Sequence, residues 1–270
     1  MIKILVTITA FFISLISLAQ VSENREVSTF SKLKASSGID VFYTVSDKKS
    51  VTVETDDLEK LNLIKTEVEN GTLILSIDTK DYKASKNKDK NKKKDKNRKH
   101  ISFINGVEFQ VLRIVISGPN LEALKASSSA SIKFENTNTT SNLDIDISSS
   151  GSISGSFNCK NLNIDASSSG DFSAAINATS VKIESSSSSD VNLSGKATEI
   201  LVKASSSSTC DLKKLSAETA IIQASSSADI FINATKSVDA KASSSADIVV
   251  YGNPLEFKKE ETSSGSISKK

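Results

Sequence analysis

The sequence predicts an all-β protein: a parallel β-solenoid, or β-helix, of about 19-residue coils preceded by a strand-rich N-terminal part. Three observations carry this reading. A Ser-Ser-Ser run or a close variant begins at Ser127, Ser148, Ser167, Ser186, Ser205, Ser225, Ser243 and Thr262, at intervals of 21, 19, 19, 19, 20, 18 and 19 residues. Recurrence near 20 residues marks coils that cannot bury an apolar face alone and must stack on neighbours. Within each coil, odd positions counted from the run are apolar or small, as in Leu162, Ile164 and Ala166 before Ser167 and Gly170 and Phe172 after it. Even positions are mostly Ser, Asp, Asn, Lys or Glu, and a period of two belongs to strands. Finally, no segment after residue 121 is long enough for the helices of a TIM barrel or Rossmann domain, and the six-residue period of a hexapeptide helix is missing. Right-handed coiling is the expectation for parallel crossovers.

The elements follow in order. Residues 1–19 read as a signal peptide: Lys3 flanks an apolar stretch from Ile4 to Leu18, and Ser17 and Ala19 form a small-residue cleavage site before Gln20. No cysteine follows the cleavage site to take a lipid. No later apolar run approaches the roughly 20 residues of a membrane span, so the mature chain is expected to be exported without a transmembrane segment, to the periplasm, the outer surface or the medium. In residues 20–82 short runs rich in Val, Ile, Thr and Phe read as strands at Val27–Leu33, Ile39–Val45, Ser50–Glu54, Ile64–Val68 and Thr72–Ile77. Asn70-Gly71 is a hairpin signal, and Asp56–Asn62 reads as a short helical turn. Residues 83–100 hold ten Lys/Arg, two acids and a single apolar residue, Ala84, too little to form a core, so the segment reads as a disordered insert. Residues 101–120 read as a connecting strand, Phe109–Ser117, ending at Gly118-Pro119. The serine-rich repeats occupy 121–268. With strands about 4.8 Å apart, eight coils make a rod on the order of 40 Å long.

The N-terminal run Phe30–Val41 (F-S-K-L-K-A-S-S-G-I-D-V), the segment V-E-N-G-T-L-I-L-S-I, and G-P-N-L-E-A-L-K-A-S-S-S-A leading into the serine repeats are similar to the head GIN domain family. That family is described as auto-transporter adhesin heads and is common in Bacteroidetes; the signal peptide ending in Leu-Ala-Gln also resembles that group. The resemblance spans most of residues 27–268, although Gly38-Ile39-Asp40 departs from a literal Gly-Ile-Asn and the Lys-rich insert looks peculiar to this chain. It implies a β-helix and an adhesin-like or structural role in the cell envelope. It supplies no catalytic residues.

Composition excludes several chemistries. His100 is the sole histidine, so a His-rich metal site is impossible; two cysteines cannot build a four-Cys zinc site; and there is no tryptophan to stack sugars. No nucleophile elbow, His-Glu-x-x-His helix or phosphate loop is present. No cofactor is expected. The candidate binding surface is a ladder of short polar side chains, Ser167, Ser169, Asp171, Asp190, Asp229 and Asp247, read as one outward face able to meet glycans. The bland alternative is a solvated face whose hydroxyls bond one another between coils. Lys92, Lys93 and Lys94, in the basic insert, are candidate contacts for anionic cell-surface polymers. Nucleic acid is not expected, because no aromatics interleave with the basic residues and the chain is exported. Outside that insert the chain carries 24 basic and 30 acidic residues. A competing function, polysaccharide processing by an Asp171–Asp190 carboxylate pair, is opposed by the recurrence of Asp at the same repeat position in four coils. The ladder reading leaves the oligomeric state open. Cys159 and Cys210 fall three coils apart, about 14 Å along the axis, beyond the roughly 7 Å that a disulfide spans, and are expected to stay reduced.

Overall fold

The computed structural model describes residues 20–80, 82 and 102–270. The signal segment 1–19 and the Lys-rich insert, with Lys92, Lys93 and Lys94, lie outside the described residues. From the N-terminus run β1 (Val21–Asn24), β2 (Lys32–Ala35), β3 (Asp40–Val45), β4 (Ser50–Thr55), the short helix α1 (Leu58–Leu61), β5 (Ile64–Glu69), β6 (Thr72–Ile77), β7 (Ser102–Ile104), β8 (Val107–Phe109) and β9 (Leu112–Gly118). The Asn70-Gly71 hairpin forms as expected, with φ of 49° and 73° joining β5 to β6. The segment read as one connecting strand is instead a small hairpin, β7–β8, followed by β9. The strand expected at Val27–Leu33 begins later, at Lys32, and β1 was not anticipated. Its sequence, Val-Ser-Glu-Asn, has one apolar residue and borrows its order from antiparallel pairing with β4.

The rod begins earlier than the serine count implies. Strands β2 and β3 flank the corner Ser36–Gly38 and pair in parallel with β10 (Ala123–Ala126) and β11 (Ser131–Ile147). They therefore form a first rung, equivalent to those that follow. After β3 the chain leaves the rod to build its end: β6 and β9 lie parallel against β2 and β3, and β5 and β4 then pair antiparallel with them. Antiparallel closure makes this end a cap rather than another coil.

Beyond the first rungs the coils repeat in register as β12 (Ser152–Ala166), β13 (Asp171–Ser185), β14 (Asp190–Ala204), β15 (Thr209–Ala224) and β16 (Asp229–Ala242). The last coils are completed by β17 (Asp247–Tyr251), β18 (Glu256–Glu261) and β19 (Ser266–Lys269). One column of aligned residues, Leu143, Leu162, Val181, Ile200, Ala220 and Val238, is buried throughout, as the period-two pattern requires. At the capped end the interior is aromatic: Tyr43, Phe134, Phe157 and Phe172 stack on successive rungs with ring centroids 4.8, 5.2 and 5.9 Å apart. Burial pushes the Tyr43 phenol above its usual range, and its O–H donates to the Pro119 carbonyl at 2.6 Å. Fully buried Asn138 accepts from the Leu121 N–H at 2.7 Å and donates to the Leu121 carbonyl at 3.0 Å. These bonds satisfy a backbone crossing that would otherwise bury unpaired groups.

Both cysteines are free. Cys210 fills the inward row between Val191 and Ile230, and burial pushes its thiol up to about 12; Cys159 is half-buried, packs against the core, and is pushed up to about 11.

In the cap, Asp57 caps α1 by accepting from the Glu59 N–H at 3.0 Å. Beside it, Asp56 accepts from Lys60 Nζ at 2.6 Å and from the Gln110 N–H at 3.1 Å. Burial alone would raise the Asp56 carboxyl, but the Lys60 hydrogen bond and charge and the Gln110 donor outweigh it and hold the group below its ordinary value. A depressed carboxyl stabilises the fold above its unfolded pKa, near 3.9, and loses that contribution as pH falls through the folded value. Acid unfolding of wild type should therefore show a component below about pH 4 that Asp56→Asn removes. Identical acid profiles in a fluorescence or circular-dichroism titration would contradict this.

Candidate functional site

The serine runs are corners. In the run after Ser167, Ser168 and Ser169 have φ of 51° and 60°, and the Gly170 N–H donates to the Ser167 carbonyl at 2.9 Å, closing a tight turn. The same pair of left-handed residues recurs at Ser128–Ser129, Ser149–Ser150, Ser187–Ser188, Ser206–Ser207, Ser226–Ser227, Ser244–Ser245 and Ser263–Ser264, and as Ser37–Gly38 in the first rung. Left-handed backbone costs an ordinary L-residue roughly 1–2 kcal/mol, so something must hold it. The holding group is the neighbouring coil: the Ser169 N–H donates to the Ser187 carbonyl at 3.0 Å, Ser188 to Ser206 at 3.0 Å and Ser207 to Ser226 at 3.0 Å. A continuous backbone ladder thus runs along the corner. Serine suits it because its short, polar side chain is tolerated at an exposed bend.

This geometry divides the residues expected to share one face. Ser167 stands before the turn, half-buried; Ser169 is exposed at its apex; Asp171 begins the strand beyond it. Two left-handed residues redirect the chain, so the simple even-position count does not carry across the corner. The carboxylates do form one row: Asp171, Asp190, Thr209, Asp229 and Asp247 are successive register partners. Asp171 and Asp190 are side by side in that row rather than facing one another across a cleft, the arrangement that two glycosidase carboxyls need. Among the described residues, no group of three or more His, Cys, Asp or Glu side chains is placed to hold a metal ion.

On the other side of the corner the rod has a groove of about 690 Å³. It crosses successive coils, so it runs along the axis. Its lining repeats once per coil: long or charged side chains from one row (Asp165, Glu184, Lys203, Gln223, Lys241, Glu260), small residues Ala204, Ala224 and Ala242, and hydroxyls Ser186, Ser205, Ser225, Ser243 and Thr262. Ser167, on the Asp165 coil, continues the hydroxyl row at the end of the groove. Ion pairing is concentrated towards its ends. Lys241 pairs with Glu260 at 2.7 Å and Glu184 with Lys182 at 2.8 Å, while Lys203 forms no ion pair within 4 Å among the described residues. A row of long side chains two positions ahead of a row of short ones is readable in the sequence, and is the signal that would have found this groove.

A capped rod of in-register parallel coils, displaying rows of short polar groups and an axial groove, defines a β-solenoid module. The chain belongs to the family described as "Putative auto-transporter adhesin, head GIN domain", whose profile matches residues 29–174 and again 157–254. The fold is similar to that of a "putative adhesin" from Bacteroides fragilis, at 22% identity over 93% of this chain and 97% of that one, TM-score 0.63. It is also similar to a "putative adhesin" from Parabacteroides merdae, at 12% identity over 93% and 96%, TM-score 0.76. A third similar structure is a "Putative lipid binding protein" from Parabacteroides distasonis, at 22% identity over 93% and 96%, TM-score 0.69. No curated protein matches the chain. Among the described residues no helix is long and apolar enough to cross a membrane.

Proposed function

We propose that the protein is a non-enzymatic, exported adhesin-like module of the cell envelope that binds extended glycans on the surface of its rod. The observation that carries this is repetition: polar groups of the same kind recur once per coil, in register, over the length of the solenoid. Such a surface suits a polymer better than a small metabolite. Membership of an adhesin family and the side-by-side placement of Asp171 and Asp190 support binding over turnover. The Asp171, Asp190, Asp229 and Asp247 row, with Ser167 and Ser169 beside it, and the groove are the two surfaces offered. The charge of Lys92, Lys93 and Lys94 supports an added attraction to anionic envelope polymers.

The test is a glycan array probed with the chain from Gln20 onward. Retention of long unbranched glycans in preference to mono- and disaccharides is the expected result. An array on which no glycan is retained would sink the reading.

A further inference from the structure

The groove and the acidic row make different demands on a ligand, and the groove has the better match. We propose that it seats an uncharged, straight, β-1,4-linked polysaccharide with its chain parallel to the rod axis, about one sugar per coil. The proposal rests on the glycan-binding reading and names the polymer and its orientation.

Spacing is the first argument. Each coil advances the rod by about 4.8 Å, a step of the same order as the rise of one sugar in an extended β-1,4 chain. A polymer lying along the axis therefore keeps one coil per sugar, with like edges of its alternately turned sugars returning on every second coil, whereas one lying across the coils would leave the groove after a few ångströms. The groove draws on six consecutive coils, from Asp165 to Thr262, so a bound segment of about five or six sugars fills it.

Chemistry is the second. Sugar hydroxyls both donate and accept. Lys203 offers donors, Gln223 offers both a donor and an acceptor, and the serine row offers hydroxyls that do either. Lys203 and Gln223 are register partners on adjacent coils, and both are exposed. Lys203 feels the charge of Glu184 on the next coil, but neither side chain makes a hydrogen bond or an ion pair within 4 Å among the described residues, so their donors remain available at the middle of the groove, where a chain of any sufficient length must pass. The acidic row lacks this balance. Its carboxylates only accept, and within the row Thr209 alone carries a donor. The groove wall carries both signs of charge, which favours a neutral polymer over a uniformly anionic one.

Isothermal titration of the chain from Gln20 with cello-oligosaccharides of two to eight glucose units tests this, with malto-oligosaccharides of equal length as the curved control. Affinity for the cello series should rise with each added unit and level off near six, and the malto series should bind at least about 10-fold more weakly. Lys203→Ala and Gln223→Ala should each weaken cellohexaose binding about 3- to 10-fold, the range of one or two net hydrogen bonds. Glu67→Gln and Glu69→Gln, exposed on the cap and outside both surfaces, should leave it unchanged. All four positions are at the surface, and unchanged thermal midpoints would show that the variants remain folded. Equal affinity for the disaccharide and the octasaccharide, malto binding as tight as cello, or loss on Asp171→Asn without loss on Lys203→Ala would each overturn the proposal. A positive glycan array with no cello-oligosaccharide binding would overturn it too, while leaving the broader glycan reading in place.

Discussion

Replacing Phe157 by alanine is expected to cost the rod about 3–5 kcal/mol, the range for truncating a buried aromatic side chain. Phe157 is fully buried and lies between Phe134 and Phe172, with ring centroids at 5.2 and 5.9 Å. Its removal leaves a void walled by the two neighbouring rungs, and neither ring can close it without leaving its own row. Because a solenoid's coils contact only their neighbours, the loss should be local. Hydrogen exchange should show protection falling across β11, β12 and β13 while β16 and β17 keep theirs. A variant whose protection falls equally along the rod, or whose midpoint barely moves, would contradict a stacked aromatic interior at this end.

The second large effect concerns the corners. Ser168→Val with Ser169→Val places β-branched side chains where φ is 51° and 60°, a conformation that is a genuine outlier for such residues. The serines already carry the left-handed cost, so the excess for β-branching is what counts, and the pair should destabilise the protein by about 1–3 kcal/mol. Ser168→Asn with Ser169→Gly supplies the residues that a turn with two left-handed positions favours, and should stabilise it by about 1 kcal/mol. Guanidinium midpoints measure both. If the serines were kept for hydroxyl display alone, the valine pair would be tolerated and Asn-Gly would bring no gain. The comparison separates a backbone role from a ligand role at Ser169.

The rows of the rod were legible because burial alternates with residue number: Leu162, Ile164 and Ala166 are inward, and Asn163 and Asp165 outward, as a period of two requires. The corners were legible only as interruptions. Ser-Ser carries no glycine or asparagine to announce left-handed backbone, and the conformation is held by hydrogen bonds to the next coil, which local sequence does not express. The first rung at Ser36–Gly38 was hidden for a topological reason. The chain departs to build the cap between Val45 and Leu121, so the interval to the next serine corner breaks the 19-residue rhythm. In the candidate site, the Asp row is legible from its repeat position, whereas Ser167 and Ser169 fall away from that face because the alternation does not continue through the turn. The groove is hard to read from the sequence because it depends on the difference in length between two outward rows, those of Lys203 and Ser205, and not on any residue type taken singly.

The most direct test of the central claim, binding without turnover, is a reducing-end assay on a polysaccharide that the protein retains. Over a prolonged incubation the account predicts sustained retention with no reducing ends released above the protein-free control. Steady release that Asp171→Asn or Asp190→Asn abolishes would contradict it and make those two carboxylates catalytic.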